Sequence, residues 1–236
     1  MKARQSLYLL PGTMCDTRLW QPLRSALELI RPDYFDFHYL TIANKATIHD
    51  IVEDIKLQLP NEGVNLLGFS LGGYLASAFT LKYPEAIENL IVVSNMPCAL
   101  PSIEIKERSR AVAWIKRNGY SGIPSKRIFA LLDKSAHERQ DIISLIKKMD
   151  ESLGQEVLVH QLLATTKRED IFLALGKLPL QKHFCVGKND HLVSVEALHN
   201  LQSLDKSMKL MILENTGHML PLERPEALAQ WLNFIY

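Results

Sequence analysis

The sequence predicts an α/β fold: one open sheet of parallel strands with helices on both faces. Three observations lead there. Short apolar runs such as Asn89 to Ser94 (NLIVVS) have the unbroken hydrophobic character of strands covered on both sides. Segments of helical periodicity separate these runs, so strand and helix alternate over residues 1–100 and again after residue 179. One strand-to-helix junction carries a serine between two glycines, where ligands of an open sheet are bound.

Taken in order, Ser6 to Leu10 form the first strand. Pro11-Gly12 break it into a loop, Thr13 to Thr17, ahead of a helix from about Arg18 to Leu29. Asp33 to Ile42 alternates Phe35, Phe37, Tyr39 and Ile42 with polar positions, the pattern of a second strand. Thr47 caps the next helix, with Asp50 in its first turn to meet the free amides, and that helix ends near Pro60. A buried strand around Val64 to Leu67 leads into Gly68-Phe69-Ser70-Leu71-Gly72 and then a helix that Pro84 ends. Asn89 to Ser94 is the following strand.

From about Pro101 to Pro179 the strand pattern stops. Amphipathic segments at Ile103 to Arg117, Ser125 to Leu132, His137 to Leu153, Gln155 to Thr165 and Glu169 to Leu175 are separated by Gly119, Gly122, Pro124, Gly154 and Gly176. Residues 101–178 are therefore expected to be a helical insertion, a cap, in a core made of 1–100 and 179–236. The alternation resumes with strand His183 to Val186, helix Val195 to Leu204, strand Lys209 to Leu213 and a last helix from about Pro225 to Ile235. A cap inserted just after the serine junction is placed to roof it.

Composition narrows the function. The chain has 236 residues, 47% hydrophobic, enough for one domain with a sizeable core. A net charge of +1 gives no general attraction to nucleic acid or anionic membrane. Within residues 101–178, however, 14 Lys and Arg face 10 Asp and Glu, while the remainder is net acidic. That asymmetry suits a solvated helical surface, or a roof that attracts an acidic partner or substrate. Cys15, Cys98 and Cys185 are dispersed and odd in number, against a disulfide framework or structural zinc. Lys2 and Arg4 precede only Leu7 to Leu10, short of the roughly 7 to 15 apolar residues of a signal peptide core. No run approaches the roughly 18 apolar residues of a membrane span. The expectation is a soluble, cytoplasmic protein.

The stretch Gly68 to Gly72 is a G-x-S-x-G nucleophile elbow, and its glycines have a mechanical reason. A turn tight enough to lift the serine oxygen above the sheet leaves no room for side chains two residues either side. The amide of Leu71, at the helix start, then points at any oxyanion forming beside Ser70. A serine hydroxyl is a weak nucleophile, so it needs a base and a group to orient that base.

With its elbow, its helical insertion and Thr216-Gly217-His218 followed by Pro221 to Pro225, the chain resembles the α/β-hydrolase superfamily over almost its whole length. Within that superfamily it looks like the small cap-bearing group of pimeloyl-acyl-carrier-protein methyl ester esterases and the menaquinone-pathway lyase. It lacks room for the first two strands of the full family sheet, so about six parallel strands are expected. The resemblance implies the order Ser, Asp, His, each at a strand carboxyl end: Ser70 as nucleophile, Asp190 after the His183 to Val186 strand, His218 after the Lys209 to Leu213 strand. Asp205 and Glu214 are the alternatives for the acid, although Glu214 is close to His218 along the chain, and His191 is an alternative histidine. The second oxyanion amide is carried onto Thr13, in Leu9-Leu10-Pro11-Gly12-Thr13, with Met14 as the alternative; Pro11 stands where the family usually has histidine.

The implied activity is cofactor-free and metal-free hydrolysis of a carboxylic ester through an acyl-enzyme. The substrate would be a small molecule or an acyl chain, and an acyl chain on an acidic carrier protein would suit a basic cap. C–C cleavage or elimination by the same three residues, and a non-catalytic binding protein of this fold, are the alternatives.

Overall fold

The computed structural model describes residues 4–236, Leu204 by its main chain alone; Lys2 of the basic lead lies outside the described residues. Its centre is a six-stranded parallel sheet: β1 (Gln5–Leu10), β2 (Phe35–Tyr39), β3 (Val64–Phe69), β4 (Ile87–Val93), β5 (Gln181–Gly187) and β6 (Met208–Leu213). The strand order is β2-β1-β3-β4-β5-β6, and every neighbouring pair is parallel. The chain steps outward from β1 to β2 and returns to place β3 on the other side of β1. The loops after β1 and β3 therefore lie side by side at the switch point, where open sheets form a crevice.

Helices α1 (Gln21–Ile30), α2 (Ile48–Gln58) and α3 (Leu71–Lys82) follow the first three strands. Between β4 and β5 come α4 (Ser102–Asn118), α5 (Ser125–Leu131), α6 (Gln140–Thr166) and α7 (Phe172–Gly176). Then α8 (Val195–Leu204), α9 (Leu220–Glu223) and α10 (Pro225–Ile235) complete the chain. The two faces of the sheet bury separate apolar clusters. One unites Leu7, Leu9, Leu67 and Ile91 with Leu23 and Leu27 of α1 and Leu228 and Leu232 of α10. Across the sheet, Leu10, Leu66 and Val92 pack on Ile55 of α2, Leu75 and Phe79 of α3, and Leu198 of α8. All six residues of β3 are buried, which explains why its one polar side chain, Asn65, is hydrogen-bonded, its amide donating to Ser6 O at 3.2 Å and Gln5 Oε1 at 3.3 Å. Among the described residues no helix is long and apolar enough to cross a membrane.

Three expectations of local structure need correcting. The strand expected over Asp33 to Ile42 is Phe35–Tyr39, because this edge strand bonds only to β1 and can extend no further than its partner; Asp33 itself turns with φ 57°. The break expected at Gly154 is present as a kink, φ 72° and ψ −177°, between the two helical runs of α6, but the first of them begins at Gln140 and not His137 because a short 3₁₀ turn, Lys134–Ala136, precedes it. The helix expected from Glu169 begins at Phe172, whose amide bonds the Asp170 carboxylate at 3.1 Å. Leu220–Glu223, to which the sequence pattern assigns no element, is the short helix α9.

His183 in β5 is 6% exposed, and neither ring nitrogen has a partner among the described residues. It meets Trp231 edge-on at 6.1 Å and lines a groove of about 720 Å³ between β6 and α10. Burial, with Lys209 beside it, pushes its pKa down to about 4. An unfolded histidine titrates near 6.5, so in the window between, only the unfolded chain takes the proton. Stability is therefore whole above about pH 6.5 and falls as pH is lowered toward about 4. His183→Phe is expected to flatten that acid slope in thermal unfolding followed from pH 7 to 4. An unchanged slope would rule out His183 as its source.

Candidate active site

The junction of β3 and α3 builds the site. Ser70 stands between them with φ 51° and ψ −116°, a conformation costly for a residue with a side chain and held by its surroundings. Its amide bonds Val93 O at 2.9 Å, and its carbonyl accepts from the amides of Gly73 and Tyr74. The flanking glycines are required by contact. A Cβ on Gly68 would run into the backbone of Gly72, and one on Gly72 into the carbonyls of Leu10 and Pro11. The loop after β1 thus lies directly against the elbow, as the strand order dictates.

The carboxyl ends of β5 and β6 supply the partners. Lys188 N bonds Leu213 O at 2.9 Å and Asn189 N bonds Thr216 O at 3.0 Å, so the two loops run together. Only glycine fits at 187, where a Cβ would strike the carbonyls of Thr216 and Gly217. This brings Asp190 Oδ2 to 2.8 Å from His218 Nδ1, and His218 Nε2 to 2.8 Å from Ser70 Oγ. A carboxylate can only accept, so Nδ1–H donates to Asp190 and leaves Nε2 free to accept the serine proton. Asp190 and His218 are 5% and 6% exposed. The second carboxylate oxygen of Asp190 accepts from Leu192 N at 2.8 Å, and the Phe69 ring lies 5.4 Å from the imidazole. Every member of the chain is thus held by a further contact.

The other candidates are spent elsewhere. Glu214 is exposed and pairs with Lys188 at 2.7 Å. Asp205 precedes β6, at the opposite rim of the sheet, and pairs at 3.0 Å with Lys182, which is fully buried. His191 is exposed to solvent. Met14, with φ 54°, donates its amide to Gln161 Oε1 of α6 at 3.0 Å. Among the described residues the amides of Thr13 and Leu71 have no acceptor. Gln161 had no signal in the sequence: a helical glutamine is informative only once its helix is known to reach the β1 loop.

A profile of the alpha/beta hydrolase fold matches residues 19–225, from the start of the first helix region to the start of α10. The chain belongs to the alpha/beta hydrolase fold family. This hydrolase-fold chain is 31% identical over 96 residues to the pimeloyl-[acyl-carrier protein] methyl ester esterase of Shewanella woodyi, a stretch covering 40% of this chain and 37% of that protein. It is 25% identical over 253 aligned positions to the biotin biosynthesis bifunctional protein BioHC of Teredinibacter turnerae, covering 98% of this chain and 44% of that one. The matches thus span less than half the length of both relatives. Among solved structures, a thermophilic esterase from Thermogutta terrifontis superposes with TM-score 0.81 at 22% identity, over 98% of this chain and 88% of that one. That likeness is one of fold, and it agrees with the six-stranded sheet described above.

Proposed function

We propose that this protein is a serine hydrolase of carboxylic esters. The observation that carries the proposal is the unbroken hydrogen-bonded chain from Asp190 through His218 to Ser70, with 2.8 Å at each link. In acylation the Ser70 oxygen attacks the ester carbonyl while His218 Nε2 takes the hydroxyl proton. The carbonyl oxygen gains charge against the amides of Leu71 and Thr13, the pair left without acceptors. As the bond to the alcohol breaks, His218 returns the proton to the leaving oxygen. Water, deprotonated in turn by His218, attacks the acyl-enzyme and releases the acid, restoring Ser70. Asp190 keeps the imidazole in the tautomer that both halves need.

A fluorophosphonate probe should label Ser70, and mass spectrometry during slow ester turnover should find the acyl group there. Turnover without an acyl adduct would favour C–C cleavage or elimination instead; no labelling at all would favour a binding protein.

Helices α4 to α7 are proposed to cap this site, and an acyl chain on an acidic carrier protein is the proposed physiological substrate. Support comes from the activity for which the Shewanella relative is named, from the basic excess of residues 101–178 and from Lys147 and Lys148, both exposed on α6. Lys147→Glu with Lys148→Glu is expected to lower kcat/KM about tenfold for a carrier-bound ester, through lost electrostatic attraction, and to leave a small free ester unaffected. Equal losses on both substrates, or on neither, would count against the carrier.

A further inference from the structure

We propose that Asp133, which belongs to neither catalytic loop, is a positioning residue that ties the loop of Asp190 to the loop of His218. The inference rests on the serine-hydrolase reading above. Asp133 lies between α5 and the 3₁₀ turn Lys134–Ala136 and is 7% exposed. Its Oδ2 accepts from Asn189 Nδ2 at 2.6 Å, and Asn189 is the residue directly before Asp190. Its main-chain amide donates to Glu223 Oε2 at 2.8 Å. The same Glu223 oxygen accepts from Gly217 N at 3.1 Å, and Gly217 is the residue directly before His218. One residue from the helices between β4 and β5 thus holds the immediate neighbours of both the carboxylate and the imidazole.

Four further hydrogen bonds make the arrangement stiff. The Asp133 side chain is fixed from its other oxygen, where Oδ1 accepts from Ser135 N at 2.9 Å and Ser135 Oγ at 2.6 Å. Beside it, Leu131 O accepts from His218 N at 2.8 Å and Met219 N at 3.2 Å. The approach is close enough to need glycine, since a Cβ on Gly217 would lie 2.5 Å from Asp133 N and 2.7 Å from Leu132 C. The hydrogen bonds from Ser135 and Asn189 also hold the Asp133 carboxyl down at about 2, so it is an acceptor-only carboxylate at neutral pH. Removing the tie leaves the two loops joined only by the main-chain bonds Lys188 N–Leu213 O and Asn189 N–Thr216 O, so the side chains of Asp190 and His218 can shift relative to each other. Misplacement by about 1 Å can cost on the order of 10²-fold in rate.

Asp133→Asn is the first test. Its amide must turn a donor toward either Asn189 or Ser135, so the tie is strained or lost. The expected result is a kcat for an aryl ester lowered about 10- to 100-fold with KM little changed, because substrate binding is untouched. The deshielded proton NMR signal of His218 Nδ1–H should shift or broaden as well. Adding Asn189→Asp reverses the hydrogen bond, with Asn donating to Asp, and should restore both readouts. Wild-type kcat in Asp133→Asn would overturn the proposal, as would lowered kcat with an unmoved Nδ1 proton or with no rescue in the exchanged pair. Should Asp133→Asn not fold, Asn189→Ala removes the same bond from the other side, and an unaltered kcat and Nδ1 proton there would overturn it equally. The Nδ1 signal needs no substrate, so it reports on Asp133 even if Ser70 proves dispensable for ester turnover, which would sink the hydrolase reading instead.

Discussion

Ser70→Ala is expected to lower turnover of a short-chain aryl ester by about 10⁴-fold or more, with the fold intact. The size follows from what is lost in the proposed mechanism: the atom that attacks and the proton that His218 accepts belong to the same hydroxyl group. The fold should survive because the Ser70 side chain makes no capping bond to α3 and alanine meets the same backbone demand at φ 51° as serine. Its one side-chain hydrogen bond among the described residues, to His218 Nε2 at 2.8 Å, contributes about 1 kcal/mol. Steady-state kinetics beside a thermal melt checks both halves. Wild-type turnover in the alanine variant would mean that the hydroxyl is idle and that the three-residue chain is not the machinery.

Asp190→Asn tests the far end of that chain and should lower kcat on the order of 10⁴-fold. The carboxylate accepts the Nδ1 proton of His218, whereas a carboxamide can present its NH₂ to Nδ1 and stabilise the other tautomer. Nε2 then carries a proton facing Ser70 and cannot receive another. Leu192 N can still bond the amide oxygen, so the loop should hold its shape. Glu214→Gln is the control: Glu214 is exposed and occupied by Lys188, and its kcat should stay within about twofold of wild type, as for surface charges generally. Equal losses in the two variants would remove the special role from Asp190.

Much of the architecture was legible because it follows from local pattern. Buried parallel strands are predominantly apolar, and Leu66-Leu67 of β3 and Leu90 to Val93 of β4 read that way. Thr47 was legible as a cap, and its hydroxyl does accept Asp50 N at 3.1 Å. The elbow was legible from its glycines, whose absent side chains match contacts that any Cβ would violate. Edges were less legible: β2 reads longer than it is, since pleat alternation continues past the point where β1 stops offering hydrogen bonds.

Ser70 was nameable from its elbow, and Asp190 and His218 from the order that the resemblance implies, each following a strand so that all three share the carboxyl rim of a parallel sheet. The chain by itself therefore determined the fold class and which side chains could meet. Tertiary structure alone decided that the three stand at bonding distance, that Met14 N is taken by Gln161 and Asp205 by Lys182, and that Asp133 bridges two loops. Those contacts join residues far apart in sequence and lie on different elements, so no local spacing encodes them. They exist only once packing has placed one element against another.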